Sequence, residues 1–82
     1  MNQVIFSPKS LGIALKRQRK AQKQSQKEAG AAFKLDQTTI SNIERGASGT
    51  RLETLFRMLA ALDLEMIIRP KKHRDINSGE NW

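Results

Sequence analysis

Gln37, Thr38, Ser41 and Asn42 stand at i, i+1, i+4 and i+5, so on a helix they share one face. All four are uncharged side chains of the kind that hydrogen-bond base edges. A glutamine can pair bidentately with adenine, and serine or threonine serves either kind of base pair. The major groove of B-form DNA admits one α-helix, so a helix presenting this quartet is a candidate reader of double-stranded DNA. Any one of these residues alone would pass for ordinary polar surface. The quartet, however, follows a concentration of positive charge: Lys16, Arg17, Arg19, Lys20, Lys23 and Lys27. Residues 1–46 hold nine basic and three acidic side chains, against six and five in residues 47–82, out of a net charge of +7. Such a field is the footprint of a polyanion binder. By itself the charge run fits a solvated helix face equally well. A membrane surface suits it less, because the matching apolar face (Leu11, Ala14, Leu15) is thin and lacks an aromatic anchor.

Chemistry other than binding has little to work with. The chain has no cysteine, no tyrosine and a single histidine, His73, in a charged tail. A disulfide framework and cysteine-ligated zinc are excluded. Ser25 and Glu28 have capping to do and no base is placed beside them by any motif. The expectation is therefore a non-enzyme, with no catalytic residue, metal, cofactor or small-molecule substrate. No apolar run approaches the ~20 residues of a membrane span. Residues 1–15 lack the charged start, long apolar stretch and cleavage site of a signal peptide. A cytoplasmic protein without a membrane partner is expected. Eighty-two residues, 38% hydrophobic and 28% charged, make one small domain.

The elements that must position the quartet are clearly punctuated. Residues 1–7 are a partly apolar leader with room for a brief strand. Ser7-Pro8 reads as an N-cap followed by proline at the first helical position. A first helix then spans residues 8–21, with Leu11, Ala14 and Leu15 inward. Ser25 and Glu28 form a capping box for a short second helix, with Ala29 and Phe33 on one face. Lys34 and Leu35 break it, and Asp36 caps a third helix over residues 37–45, with Ile40 and Ile43 inward. Gly30 is small where these two helices approach. After a loop at residues 46–49, Thr50 and Glu53 read as another capping box. Leu52, Leu55, Phe56, Leu59 and Leu62 follow as a buried stripe. Residues 64–69 change to a strand-like pattern ended by Pro70, and residues 70–82 form a polar tail ending in Trp82. Two helices of about eight residues joined by a short turn have the dimensions of a helix-turn-helix.

The segment QKEAGAAFKLDQTTISNIER, residues 26–45, resembles the helix-turn-helix of the phage-repressor and Cro-like (XRE) superfamily. S-Q-x-E opens its second helix and T-I-S-N-I-E-R-G closes its third, and the likeness covers about residues 8–63. Within that superfamily the chain is similar to the HipB-type antitoxins, operon repressors partnered with HipA-like kinase toxins. The matching features are S-P near the start, T-T-I-S-N-I-E, T-L-F-x-x-L, the L-E-M-I-I strand and a loose tail ending in tryptophan. The resemblance implies that Gln37, Thr38, Ser41 and Asn42 read bases, and that Gln26 and Lys27 hold phosphates with help from a helix N-terminus. It implies that Arg19 and Glu44 tie the first helix to the third. It further implies a homodimer and a toxin-binding Trp82, a residue type enriched at interface hot spots. Two positions depart from the family pattern. Lys34 stands where glycine is usual, a left-handed backbone there costing roughly 1 kcal/mol, and could add a phosphate contact, as could Lys23. Asp36 precedes the recognition helix where a basic or neutral residue would suit DNA better; capping explains it.

Dimerisation has a reason of its own. An isolated six-residue strand is not stable, and Leu64, Met66 and Ile68 on one side with Ile67 on the other would be exposed in a monomer. Pairing across a two-fold axis buries both faces and implies a palindromic operator. The fold expected is an all-α, XRE-type helix-turn-helix bundle of four or five helices (residues 8–63) with a short C-terminal dimerisation strand (64–69). The function expected is a dimeric antitoxin that represses its own operon and neutralises a HipA-like serine/threonine kinase toxin. The alternative is a stand-alone phage-like or restriction-controller repressor with no toxin partner.

Overall fold

The computed structural model describes residues 3–71. Four helices succeed one another: α1 (Pro8–Ala21), α2 (Gln26–Ala31), α3 (Gln37–Glu44) and α4 (Leu52–Ala61). No strand occurs among the described residues. None of these helices is long and apolar enough to cross a membrane. Three of the four starts are closed by side chains as the sequence leads one to expect. The Ser7 hydroxyl accepts from the Ser10 amide at 3.0 Å, and the Ser10 hydroxyl accepts from the Ser7 amide at 3.0 Å. Ser25 and Glu28 exchange the same pair of bonds at 3.0 and 2.7 Å. Asp36 accepts from the Thr39 amide at 2.8 Å. Each bond satisfies an amide that the first helical turn leaves without a partner.

The fourth start differs from expectation. No Thr50–Glu53 box forms; the N-cap is Arg51, without a side-chain cap bond. The Thr50 hydroxyl instead donates to the Ala47 carbonyl at 3.4 Å, closing the preceding loop. The phase of α4 also differs. Its buried stripe is Leu55, Met58, Leu59 and Leu62, whereas Leu52 is 68% and Phe56 52% exposed. Both sets have helical spacing because α4 is apolar on more than half of its circumference. Packing against the shared core buries the set that includes Met58.

Leu15, Ala29, Leu35, Ile40 and Ile43 complete the core with the α4 stripe, and Leu11 and Leu64 pack on its rim. Of the apolar positions expected to lock α2 and α3 together, Ala29, Leu35, Ile40 and Ile43 are buried; Phe33 is 37% exposed, because α2 ends at Ala31 and the turn carries residue 33 off its face. Glycine permits two close approaches. A Cβ on Gly12 would lie 2.5 Å from the Ile43 and Glu44 carbonyls, so α1 and α3 meet there backbone to side-chain-free backbone. A Cβ on Gly30 would collide with the Leu35 carbonyl and lie 2.7 Å from Cδ1 of Ile40.

Residues 3–6 form no strand, as no strand is present among the described residues to pair with; the Phe6 ring instead lies 5.8 Å from Nζ of Lys71. Residues 64–69 likewise carry no ladder within the single chain, and Met66, Ile67 and Ile68 are 47, 71 and 90% exposed. His73 and Trp82 lie outside the described residues.

Candidate nucleic-acid interface

The turn between α2 and α3 is built on one carbonyl. Gly30 O accepts from the amides of Phe33 and Leu35, both at 3.1 Å. Between those amides Lys34 takes a left-handed backbone, with φ +57°. The sequence left the Lys34 backbone open; it is left-handed, a conformation that costs a lysine roughly 1 kcal/mol, and the flanking bonds to Gly30 hold it there. The turn drops Leu35 into the core and leaves Asp36 to cap α3. Ile40 and Ile43 anchor the underside of α3 at 0 and 4% exposure. The opposite face carries Gln37, Thr38 and Asn42 in the open and Ser41 half-buried. All four candidate base readers therefore emerge on one side of a short, firmly seated rod.

A buried charge network holds that rod. Arg19 of α1 and Glu44 at the end of α3 are each 7% exposed and form a two-pronged pair, Nε to Oε2 at 2.6 Å and Nη2 to Oε1 at 3.0 Å. The third guanidinium nitrogen donates to the Gln24 carbonyl at 2.8 Å. Arg19 is consequently a tie between helices and is not available to a phosphate. Burial alone would push the Glu44 carboxyl up. The Arg19 fork and the Gln26 amide outweigh it and hold Glu44 below the usual carboxylate value. The same hydrogen bond raises the Arg19 guanidinium above its ordinary value.

Gln26 extends the network to the surface. Its Nε2 donates to Glu44 Oε1 at 3.1 Å, and its Oε1 accepts from Gln37 Nε2 at 3.4 Å. Glu44 only accepts hydrogen bonds, so it dictates which way the Gln26 amide points, and Gln26 in turn orients Gln37. The Gln26 side chain, which the resemblance assigns to a phosphate contact, thus also links a buried carboxylate to a candidate base reader. Lys27, in the first turn of α2, is exposed, as are Lys23 and Lys34, which both have φ +57° just beyond the ends of α1 and α2. Lys16, Arg17 and Lys20 add exposed charge along α1. At the two following helix starts, the Glu28 carboxyl is lowered chiefly by the Ser25 backbone amide and Asp36 by that of Thr39.

Comparison with known proteins matches this arrangement. The Helix-turn-helix family model matches residues 15–67. The antitoxin HipB of Escherichia coli is 35% identical over 78 residues, covering 95% of this chain and 89% of HipB. The chain belongs to the HipB-like helix-turn-helix family. An HTH-type transcriptional regulator of Sinorhizobium fredii, y4dL, is 47% identical over 58 residues, 71% of this chain, but the chain spans only 30% of that protein's length. Among solved structures, HipB in a HipA-HipB-O2-O3 complex superposes with a TM-score of 0.81 at 35% identity, over 87% of this chain and 100% of the other. A HipB-O4 20mer complex superposes equally well, with the same TM-score of 0.81.

Against this family background, several structural partners went unnoticed in the sequence. Arg45 directs one guanidinium nitrogen at the Ser41 hydroxyl and another at Oδ1 of Asn42. Spacings of three and four residues along a helix were the available signal. Gln18 of α1 and Gln22, its C-cap residue, both donate to the Leu62 carbonyl, at 3.2 and 2.9 Å, and so close the C-terminal end of α4. Nothing in their spacing announced that role. Among the described residues no group of three or more His, Cys, Asp or Glu side chains could hold a metal ion.

Proposed function

We propose that this chain is a HipB-like antitoxin: a cytoplasmic homodimer that binds a palindromic operator through α3, represses its own operon and neutralises a HipA-like serine/threonine kinase toxin. It acts by binding and not by catalysis. The observation that carries the DNA-binding part is the outward quartet on α3, seated on Ile40 and Ile43 and tied to α1 by the buried Arg19–Glu44 pair. Gln37, Thr38, Ser41 and Asn42 lie toward the base edges. Lys27, Lys23 and Lys34 flank them as phosphate contacts, and Gln26 serves Gln37 as a brace.

The dimer is completed by residues 64–69, pairing across the two-fold axis. Leu64 already rests on the core, while Met66, Ile67 and Ile68 remain open. A ladder between copies would satisfy their backbone and cover their side chains. The toxin-binding part rests on kinship with HipB, which is covered over 89% of its length, and Trp82 is assigned to that contact. That coverage disfavours a stand-alone repressor.

A gel shift with the chain's own promoter fragment tests the central reading. Retardation should fall with salt and be abolished by Gln37→Ala combined with Ser41→Ala. An unchanged shift in the double variant would remove α3 from the interface. Removal of Trp82 should weaken capture of a HipA-like kinase toxin while leaving operator affinity intact; equal capture would end the assignment of Trp82.

A further inference from the structure

The recognition face contains one positive charge that is engaged within the face itself. Arg45 is exposed at the C-cap of α3, yet its guanidinium forks onto two of the four candidate base readers, the Ser41 hydroxyl and the Asn42 side-chain carbonyl. A guanidinium has five donors and no acceptor, so both partners must present an oxygen lone pair to it. For Asn42 this settles the amide: Oδ1 turns to Arg45 and the two N–H donors of Nδ2 turn away. For Ser41 it removes the option of pointing its hydroxyl proton at Arg45, leaving that proton to be donated elsewhere. An unbraced asparagine offers one donor and one acceptor side by side, the pattern that matches adenine. A braced one turns its two N–H donors away from Arg45 and has one of its two oxygen lone pairs already occupied, so its balance shifts toward donation.

We infer that Arg45 is a positioning residue for sequence selectivity, holding Ser41 and Asn42 so that both present donors to the groove. The inference rests on the DNA-reading role proposed for α3. Donors seek acceptors: guanine presents two in the major groove (N7 and O6), thymine one (O4), adenine one beside an amino donor, and cytosine only an amino donor, so guanine and thymine are favoured over adenine and cytosine. The positions beneath Ser41 and Asn42 are accordingly read with a preference for guanine or thymine on the contacted strand. Gln37 is set in a parallel way from the other end of α3, since its Nε2 is drawn to Gln26 by the chain of bonds that starts at Glu44. Both ends of the reading face are therefore polarised by neighbouring side chains before any duplex arrives, which lowers the cost of ordering them on binding.

The alternative role for Arg45 is a plain phosphate contact, and charge separates the two. Lysine at this position keeps the charge but is a single point donor group without the planar fork. Selection from a random duplex pool with the full-length wild type, Arg45→Lys and Arg45→Met proteins provides the test. The wild type should return a half-site with guanine or thymine at adjacent contacted positions. Arg45→Lys should bind with similar salt dependence yet lose roughly tenfold discrimination at those positions, the size of one good base contact. Arg45→Met should lose the same discrimination. With Asn42→Ala as background, Arg45→Lys should have no further effect at the position Asn42 reads, because coupled residues are not additive. Wild-type selectivity in Arg45→Lys, or a sequence-independent loss in Arg45→Met, would overturn the inference while leaving the DNA-reading role of α3 standing. Failure of the wild type to select any site would overturn both.

Discussion

Replacing Glu44 by glutamine removes one charge and barely any volume, so it isolates the electrostatic role of the buried pair. Arg19 would remain 7% exposed, its charge facing an amide in place of a carboxylate. Two charge-assisted bonds, at 2.6 and 3.0 Å, would be weakened or lost. Breaking a buried pair by removing one partner costs about 3–5 kcal/mol, mainly because the surviving charge is left uncompensated. A chain of this length has roughly 4–12 kcal/mol of stability in all, so Glu44→Gln should forfeit a large part of it. Urea unfolding followed by circular dichroism reads the change directly. The control is Glu53→Gln, which breaks the solvent-exposed pair with Arg57 at 3.2 Å; it should cost no more than about 0.5 kcal/mol. The pH profile adds a second readout. Glu44 has a lowered carboxyl value in the folded chain. Its contribution is therefore complete above the unfolded carboxylate value, about 4.3, and is lost as pH falls through the lower folded value. Glu44→Gln should flatten that acid limb. A loss below about 1 kcal/mol together with an unaltered acid limb would refute the claim that this pair seats α3.

Three further outcomes follow from the same geometry. Met58→Ala should cost about 2–5 kcal/mol in urea unfolding, since Met58 is wholly buried, whereas Phe56→Ala in the monomeric state should cost far less because the ring is 52% exposed; equal losses would mean that α4 is seated in the other phase. Lys27→Ala should weaken binding to all duplexes alike and flatten the plot of log affinity against log salt by about one unit; a sequence-selective loss would make Lys27 a base reader. Met66→Asp with Ile68→Asp should yield monomers in sedimentation, and an intact dimer would place the interface elsewhere.

Much of this molecule could be read from local chemistry. Ser7, Ser25 and Asp36 each precede a helix and each caps it, because a cap requires only a short oxygen-bearing side chain within three residues of the amide it satisfies. The outward placement of the α3 quartet followed from the inward placement of Ile40 and Ile43, since the helical period links them rigidly. The place of Lys34 in a turn where family members carry glycine raised a left-handed backbone there without deciding it. Kinship with HipB was visible in motifs of the same local kind.

What escaped was decided by packing between distant segments. Helical periodicity offered α4 two overlapping apolar stripes that share Leu55, Leu59 and Leu62, and only contact with the rest of the core selects Met58 over Leu52 and Phe56. Thr50 could cap a helix or close a loop, and the Gly46–Thr50 excursion settled it for the loop. Gly12 looked like an ordinary interruption of α1 until α3 crossed it within reach of two carbonyls. The roles of Gln26 and Arg45 depend on which way an amide and a hydroxyl point. The sequence carried the four potential readers and the charge around them. Their polarity is set by Glu44 and Arg45, because hydrogen-bond direction is a property of which donors and acceptors meet in space.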